Sequence, residues 1–214
     1  MSKGVCIAVI ACQLCFVVLS GLAMLVYPGG AEAFPNADGY LFSYNYFSDL
    51  GLPTTAAGFD NPIAPGLFAI SLVAMAASML TFYSSMLAGG CKSISVWGCV
   101  GAGLVSALGV IAVGFTPYTI YFDAHYWAVA AWLSGIFLAT LCFTLVYRAH
   151  IRQLPILWGL MIMLLVLAYV AVTFYPVGWL PTQRLQKVLV YSIVIWFIAA
   201  SLWRYRRIHG NVID

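Results

Sequence analysis

The chain has 214 residues, of which 64% are hydrophobic and only 7% charged, with a formal net charge of +3 and a mean hydropathy of +1.01. Soluble domains run near about 45–50% apolar and about 25% charged, and disordered chains are poorer still in apolar residues, so both classes are excluded. What remains is an all-α integral membrane protein. At about 20 residues per crossing helix, the length leaves no space for a large soluble or nucleic-acid-binding domain.

The first apolar run is Gly4–Tyr27. With Met1-Ser2-Lys3 before it and Ala31-Glu32-Ala33 after it, it imitates a secretory signal, but it exceeds the roughly 7–15 apolar residues of a signal core. The expectation is an uncleaved first helix. Cys12-Gln13-Leu14-Cys15 has a redox-like spacing, yet inside an apolar helix it reads as small residues packing on a neighbour.

After the long connection Pro28–Ile63 come five more runs, Ala64–Ala88, Ser95–Phe115, Tyr126–Tyr147, Ile156–Tyr175 and Leu185–Trp203. Each is long enough to cross about 30 Å of hydrocarbon at about 1.5 Å per residue. Their composition, without alternating polarity, indicates helices and not a barrel. The whole chain is thus one membrane domain, a bundle of six spans. Gly98, Ala102, Ser106 and Gly109 line one face of the third span, which predicts close helix contact there and a central place for that helix. Three helix ends, Tyr27-Pro28, Phe115-Thr116-Pro117 and Phe174-Tyr175-Pro176, pair an aromatic with a helix-stopping proline.

Basic residues set the orientation. Lys3, Lys92, Arg148, Arg152, Arg204, Arg206 and Arg207 fall on one side, and only Arg184 and Lys187 on the other, together with Glu32, Asp38, Asp49, Asp60 and Asp123. Both termini are expected in the cytoplasm of a multi-pass cell-membrane protein, with the long loop outside. Five cysteines fall within spans and Cys91 in a cytoplasmic turn, so no outer disulfide framework is expected. The spans carry no acid or lysine near their centres, which argues against proton pumping, Schiff-base chemistry and voltage sensing. His150 and His209 read as solvated side chains, and no cofactor is called for.

The outer face holds the candidate chemistry. Tyr40, Phe42, Tyr44, Tyr46 and Phe47 interleave with Asn45, Ser48 and Asp49; so aromatic a segment is expected to pack over the helix ends. Asp49, held there, needs a partner, because an unpaired carboxylate away from water is costly. His125 opens the fourth span eight residues after Pro117, and Arg184, with Gln183, opens the sixth eight residues after Pro176. This equal spacing puts both at one level.

The run Tyr44-Asn45-Tyr46-Phe47-Ser48-Asp49-Leu50-Gly51 resembles the N-x-x-S-D-L-G signature of the domain-of-unknown-function 998 family of small polytopic membrane proteins. Gly114-Phe115-Thr116-Pro117 followed by His125, and Gln183-Arg184 opening a span that contains Trp196, are similar to that family's later features. The layout also resembles the Frag1/DRAM/Sfk1 group, with its Ser-Asp-x-Gly loop after helix one and a histidine opening helix four. That resemblance implies a role in glycolipid-anchor remodelling or membrane-lipid organisation.

Three readings of the cluster stay open. In one, Asp49 pairs with Arg184, Asn45 and Ser48 cap backbone, and His125 bonds a carbonyl, locking the loop. In the second, a lipid or lipid-linked headgroup is bound or processed, with His125 as general acid or base, Asp49 orienting it, and Arg184, Gln183, Asn45 and Ser48 as headgroup ligands. The third, a metal held by Asp49, Asp123 and His125, is disfavoured by Arg184 nearby and by the lack of ligand spacing. The functional expectation is therefore a lipid-interacting membrane protein, the alternative a non-enzymatic scaffold or regulator, and a small-solute transporter lacks intramembrane polar groups. Membrane lipids are the expected partners and nucleic acid is not. A homo-oligomer, and a cytoplasmic partner at Arg204-Tyr205-Arg206-Arg207, are left open.

Overall fold

The computed structural model describes residues 1–89, 93–178 and 180–209, the side chains of Gly89 and His209 excepted. Cys91 and Lys92 lie outside the described residues, as does the His209 side chain. Six helices account for most of the chain: α1 Lys3–Leu25, α2 Ala64–Ser84, α3 Ile94–Phe115, α4 Phe122–Val146, α5 Leu154–Phe174 and α6 Thr182–His209. All six are long and apolar enough to cross a membrane, as a multi-pass membrane protein requires.

Local chemistry starts and stops these helices. Ser2 and Ser93 cap α1 and α3 by accepting from the amides of Val5 and Val96, each satisfying an otherwise orphaned donor. Pro65 and Pro155 sit in the first turns of α2 and α5, where a missing N–H costs nothing. Two ends differ from the sequence-based spans. The turn in which Ile120 and Tyr121 donate to the Pro117 carbonyl feeds straight into α4, so Asp123 and His125 lie in its first turn, where an acid suits the helix dipole. α6 continues past Trp203 to His209, because its last turns have packing partners.

Each helix packs on its chain neighbours and α6 also packs on α1, so the six form a ring, with α2 touching α6 across it. α3 is not central, contrary to its glycine content. α2 and α6 are the more enclosed, with 56% and 67% of their most apolar stretches buried against 44% for α3. Large aromatics fill the middle instead: Phe82, Phe143, Trp196 and Phe197 meet with ring centroids 5.0–5.8 Å apart. The small residues of α3 serve a pairwise contact with α4. A Cβ on Gly109 would lie 2.4 Å from the Trp132 amide nitrogen, and one on Gly135 2.5 Å from that of Ser106. At this spacing Ser106 Oγ donates to the Trp132 carbonyl at 3.0 Å.

The basic end of α6 is less free than its sequence suggests. Arg204 is buried, with Nη1 donating to Ser85 Oγ at 2.7 Å and to the Phe82 carbonyl at 3.4 Å, so it closes the C-terminal end of α2. Arg207 contacts His150 and lies over the rings of Tyr147 and Trp203. His150 is thus partly exposed and has Arg207 as a surface partner. Of this basic group, Arg206 and Arg207 are exposed.

The connection from α1 to α2 is folded. Gly29–Ala31 (β1) and Phe34–Asp38 (β2) pair as an antiparallel ribbon, a small β addition to an all-α bundle. Gly30, at φ +82°, meets Ala57 so closely that a Cβ would lie 2.3 Å from it. A 3-10 turn, Phe47–Gly51, then drops Phe47 between Phe16, Phe68 and Tyr191. Phe47, Leu50 and Leu52 are buried while Phe42 and Tyr44 stay exposed, so the aromatic segment is anchored on the helix ends through Phe47 and lies only partly packed.

Candidate functional site

Asn45 organises the loop. Its Oδ1 accepts from the Leu41 amide at 2.9 Å, while Nδ2 donates to the Gly30 carbonyl at 2.9 Å and to Asp49 Oδ2 at 3.0 Å. Asp49 Oδ2 also accepts from the Tyr46 amide, which heads the 3-10 turn, and Oδ1 accepts from the Tyr118 hydroxyl, both at 2.9 Å. The α3–α4 connection is thereby tied to the loop. Burial pushes the Asp49 carboxyl above the usual range, against the pull of these three donors and of the Lys187 charge. Burial and the Asp49 charge together raise Tyr118, which keeps its hydroxyl protonated as a donor.

Two neighbours on α6 dock the loop from below. Gln186 Oε1 accepts from the Phe47 amide at 2.7 Å and its Nε2 donates to Tyr169 Oη at 3.4 Å. Lys187 Nζ donates to the Asn45 carbonyl and, at 3.3 Å, to that of Gln183. The ammonium lies 5.3 and 5.2 Å from the ring centroids of Tyr40 and Phe42, and Lys187 is 1% exposed. The cation nearest the role foreseen for Arg184 is thus Lys187. Arg184 is exposed and its guanidinium sits 5.7 Å over the Tyr44 ring.

His125 is half-buried. Its Nδ1 lies 2.6 Å from the Thr116 carbonyl; a carbonyl can only accept, so Nδ1 carries the proton. Its ring meets Tyr118 edge-on at 5.8 Å. Asp123 is exposed, and among the described residues no group of three His, Cys, Asp or Glu stands close enough to hold a metal ion.

Below this cluster lies a cavity of about 820 Å³. Its loop end is polar, bounded by Glu32, Ser48, Asp49, His125, Gln183 and Gln186. Its other end is apolar, running down α4 past Val129, Leu133 and Leu138 and down α5 from Val170 to Leu167 and Val166. Compared with known proteins, the chain matches no family model, no curated protein and no solved structure. The cavity and its lining residues therefore carry the functional reading.

Of the six residues singled out from sequence, Ser48, Asp49, His125 and Gln183 border the cavity. Asn45 stands behind Asp49 and holds it, and Arg184 lies over the ring of Tyr44. Sequence reasoning missed Gln186, Lys187, Tyr118 and Tyr169. A signal for the first two exists: Gln183, Gln186 and Lys187 are spaced i, i+3, i+4 and share one helix face, whereas Arg184 is rotated about 100° from Gln183.

Proposed function

We propose that this protein binds a membrane amphiphile, a lipid or lipid-linked molecule, in the cavity between the loop, α4, α5 and the start of α6. The observation that carries this reading is the change of character along the cavity, from hydrogen-bonding groups at the loop end to aliphatic and aromatic side chains along the helices. From His125 to Leu138 the α4 wall is about 20 Å long at about 1.5 Å per residue, beyond half of a hydrocarbon core of about 30 Å. An occupant with its head under the loop therefore has its tail among Leu133, Phe137 and Val166. The excess of Lys and Arg at the terminal end favours cytoplasmic termini and an outward-facing loop. In that orientation the polar end lies at the headgroups of the outer leaflet. The layout of the Ser48-Asp49-Leu50-Gly51 loop and of His125, which resembles that of the Frag1/DRAM/Sfk1 group, supports the same reading.

Binding is favoured over bond-making by the state of Asp49. Both its oxygens already accept hydrogen bonds, so it positions the loop and does not stand as a free base. His125 presents Nε2 as its remaining nitrogen, an acceptor while the ring is neutral, and the role assigned here is to face the head of the occupant from the cavity wall. The test is a plug in the groove. Ser134 borders the cavity and is exposed, its hydroxyl bonded only within its own helix in the contacts described. Ser134→Trp should leave melting in detergent unchanged and remove the lipid masses that accompany wild type in native mass spectrometry. Equal lipid retention by both proteins rules the proposal out.

A further inference from the structure

Resting on the amphiphile-binding reading, we infer that the occupant's head is cationic, an amine or quaternary ammonium, and not a phosphate. Among the cavity's described lining residues there is no Lys or Arg, while Glu32 stands at the mouth and Asp49 in the wall. The same wall carries the rings of Tyr44, Tyr46, Tyr118, Phe122 and Tyr126. Faces of electron-rich rings with a carboxylate beside them are the surroundings in which an ammonium exchanges its water at least cost.

The two nearby cations are committed elsewhere. Lys187 is turned into the loop, bonded to the Asn45 and Gln183 carbonyls under Tyr40 and Phe42. Arg184 lies on the Tyr44 ring and is absent from the cavity wall. An anionic head would displace neither, and would sit against Asp49 with like charge in a partly desolvated space. Burial already holds the Asp49 carboxyl up despite Lys187, so a second positive charge beside it is electrostatically welcome. The headgroup-ligand role expected of Arg184 is thereby reversed: Arg184 is a competitor for the Tyr44 ring face and not a ligand.

The test uses the full chain in a neutral maltoside detergent and tritiated dodecyltrimethylammonium as probe, in a proximity scintillation format. Competitors share its tail and differ in head: dodecylamine, dodecyl phosphate and dodecanol. Dodecylamine is expected to displace the probe at least tenfold more tightly than dodecyl phosphate or dodecanol. Glu32→Gln, at an exposed position, should weaken probe binding severalfold, while Arg184→Gln should leave it equal or tighter. Displacement by dodecyl phosphate or dodecanol as tight as by dodecylamine, or loss of probe binding in Arg184→Gln, overturns the cationic head but leaves the groove intact so long as Ser134→Trp abolishes the signal. Binding of all four amphiphiles that is indifferent to Ser134→Trp overturns the groove reading itself, and the inference with it.

Discussion

At the scale of single residues, the loop is governed by a carboxylate that water has mostly left. Asp49 accepts from Asn45, Tyr46 and Tyr118, and its removal orphans the last two donors. Asp49→Ala should lower stability by about 3 kcal/mol, at the upper end for unsatisfied buried donors. Asp49→Asn keeps an oxygen for Asn45 and Tyr46 and offers its amide to the Tyr118 oxygen, so a loss within about 1 kcal/mol is expected. The pH dependence has a definite sign. Burial raises the Asp49 pKa in the folded chain, so its contribution is fully present below the unfolded carboxylate value of about 4. It is lost as pH rises through the higher folded value. Melting of wild type against the Asn variant across the acid range should show wild type losing ground as pH rises; a constant gap, or the opposite slope, contradicts the assignment.

Much of this cluster is legible in the sequence, because a buried carboxylate must find donors and Asn45 lies one turn away. The choice of Arg184 fails for a reason of rotation. Counting eight residues from Pro176 fixes the height of Arg184 along α6 but not the direction it faces, and the loop sits over the face of Gln183, Gln186 and Lys187. Tyr118 was out of reach of such arguments. Its tie to Asp49 spans 69 residues and depends on how α3 and α4 place their connection.

At the scale of elements, α3 and α4 form the most intimate pair, and glycine makes it so. Gly109→Ala places a methyl 2.4 Å from the Trp132 backbone, which cannot yield without parting the helices, at a cost of about 1–3 kcal/mol as for other overpacked sites. Gly101→Ala meets nothing within 4 Å and should be neutral or stabilising by up to about 1 kcal/mol through helix propensity. Thermal melting of the two variants side by side checks this, and equal behaviour would show that the closeness of the pair is not what glycine provides. The six apolar runs locate the helices because no other structure satisfies the backbone in lipid. Their ends are less legible, since Phe122 and Arg207 are helical through contacts and turns that a hydropathy window does not contain. The central place foreseen for α3 fails because small residues report closeness to one neighbour, whereas centrality belongs to the helices bearing Phe82, Trp196 and Phe197.

At the scale of the molecule, the ring of six helices puts the α1 start and the α6 end together, with Arg204 Nη1 3.9 Å from Met1 Sδ. The basic excess at this end predicts its side of the membrane. Single cysteines at Asn36, on the loop ribbon, and at Arg206, in a background without native cysteines, should react with an impermeant maleimide from opposite faces: Asn36→Cys in intact cells, Arg206→Cys only after permeabilisation. Labelling of both in intact cells is incompatible with six crossings.

Leu138, Leu167 and Phe174 border the groove and are exposed, so the cavity has a flank along α4 and α5 as well as a roof. Under the proposed amphiphile binding, that flank faces acyl chains in a bilayer, and an occupant would arrive sideways by lateral diffusion, already partitioned out of water. Its occupancy then follows its mole fraction in the leaflet, not its concentration in the buffer. On that proposal, diluting the membrane with inert lipid should empty the groove, while diluting the vesicles with buffer should leave it filled.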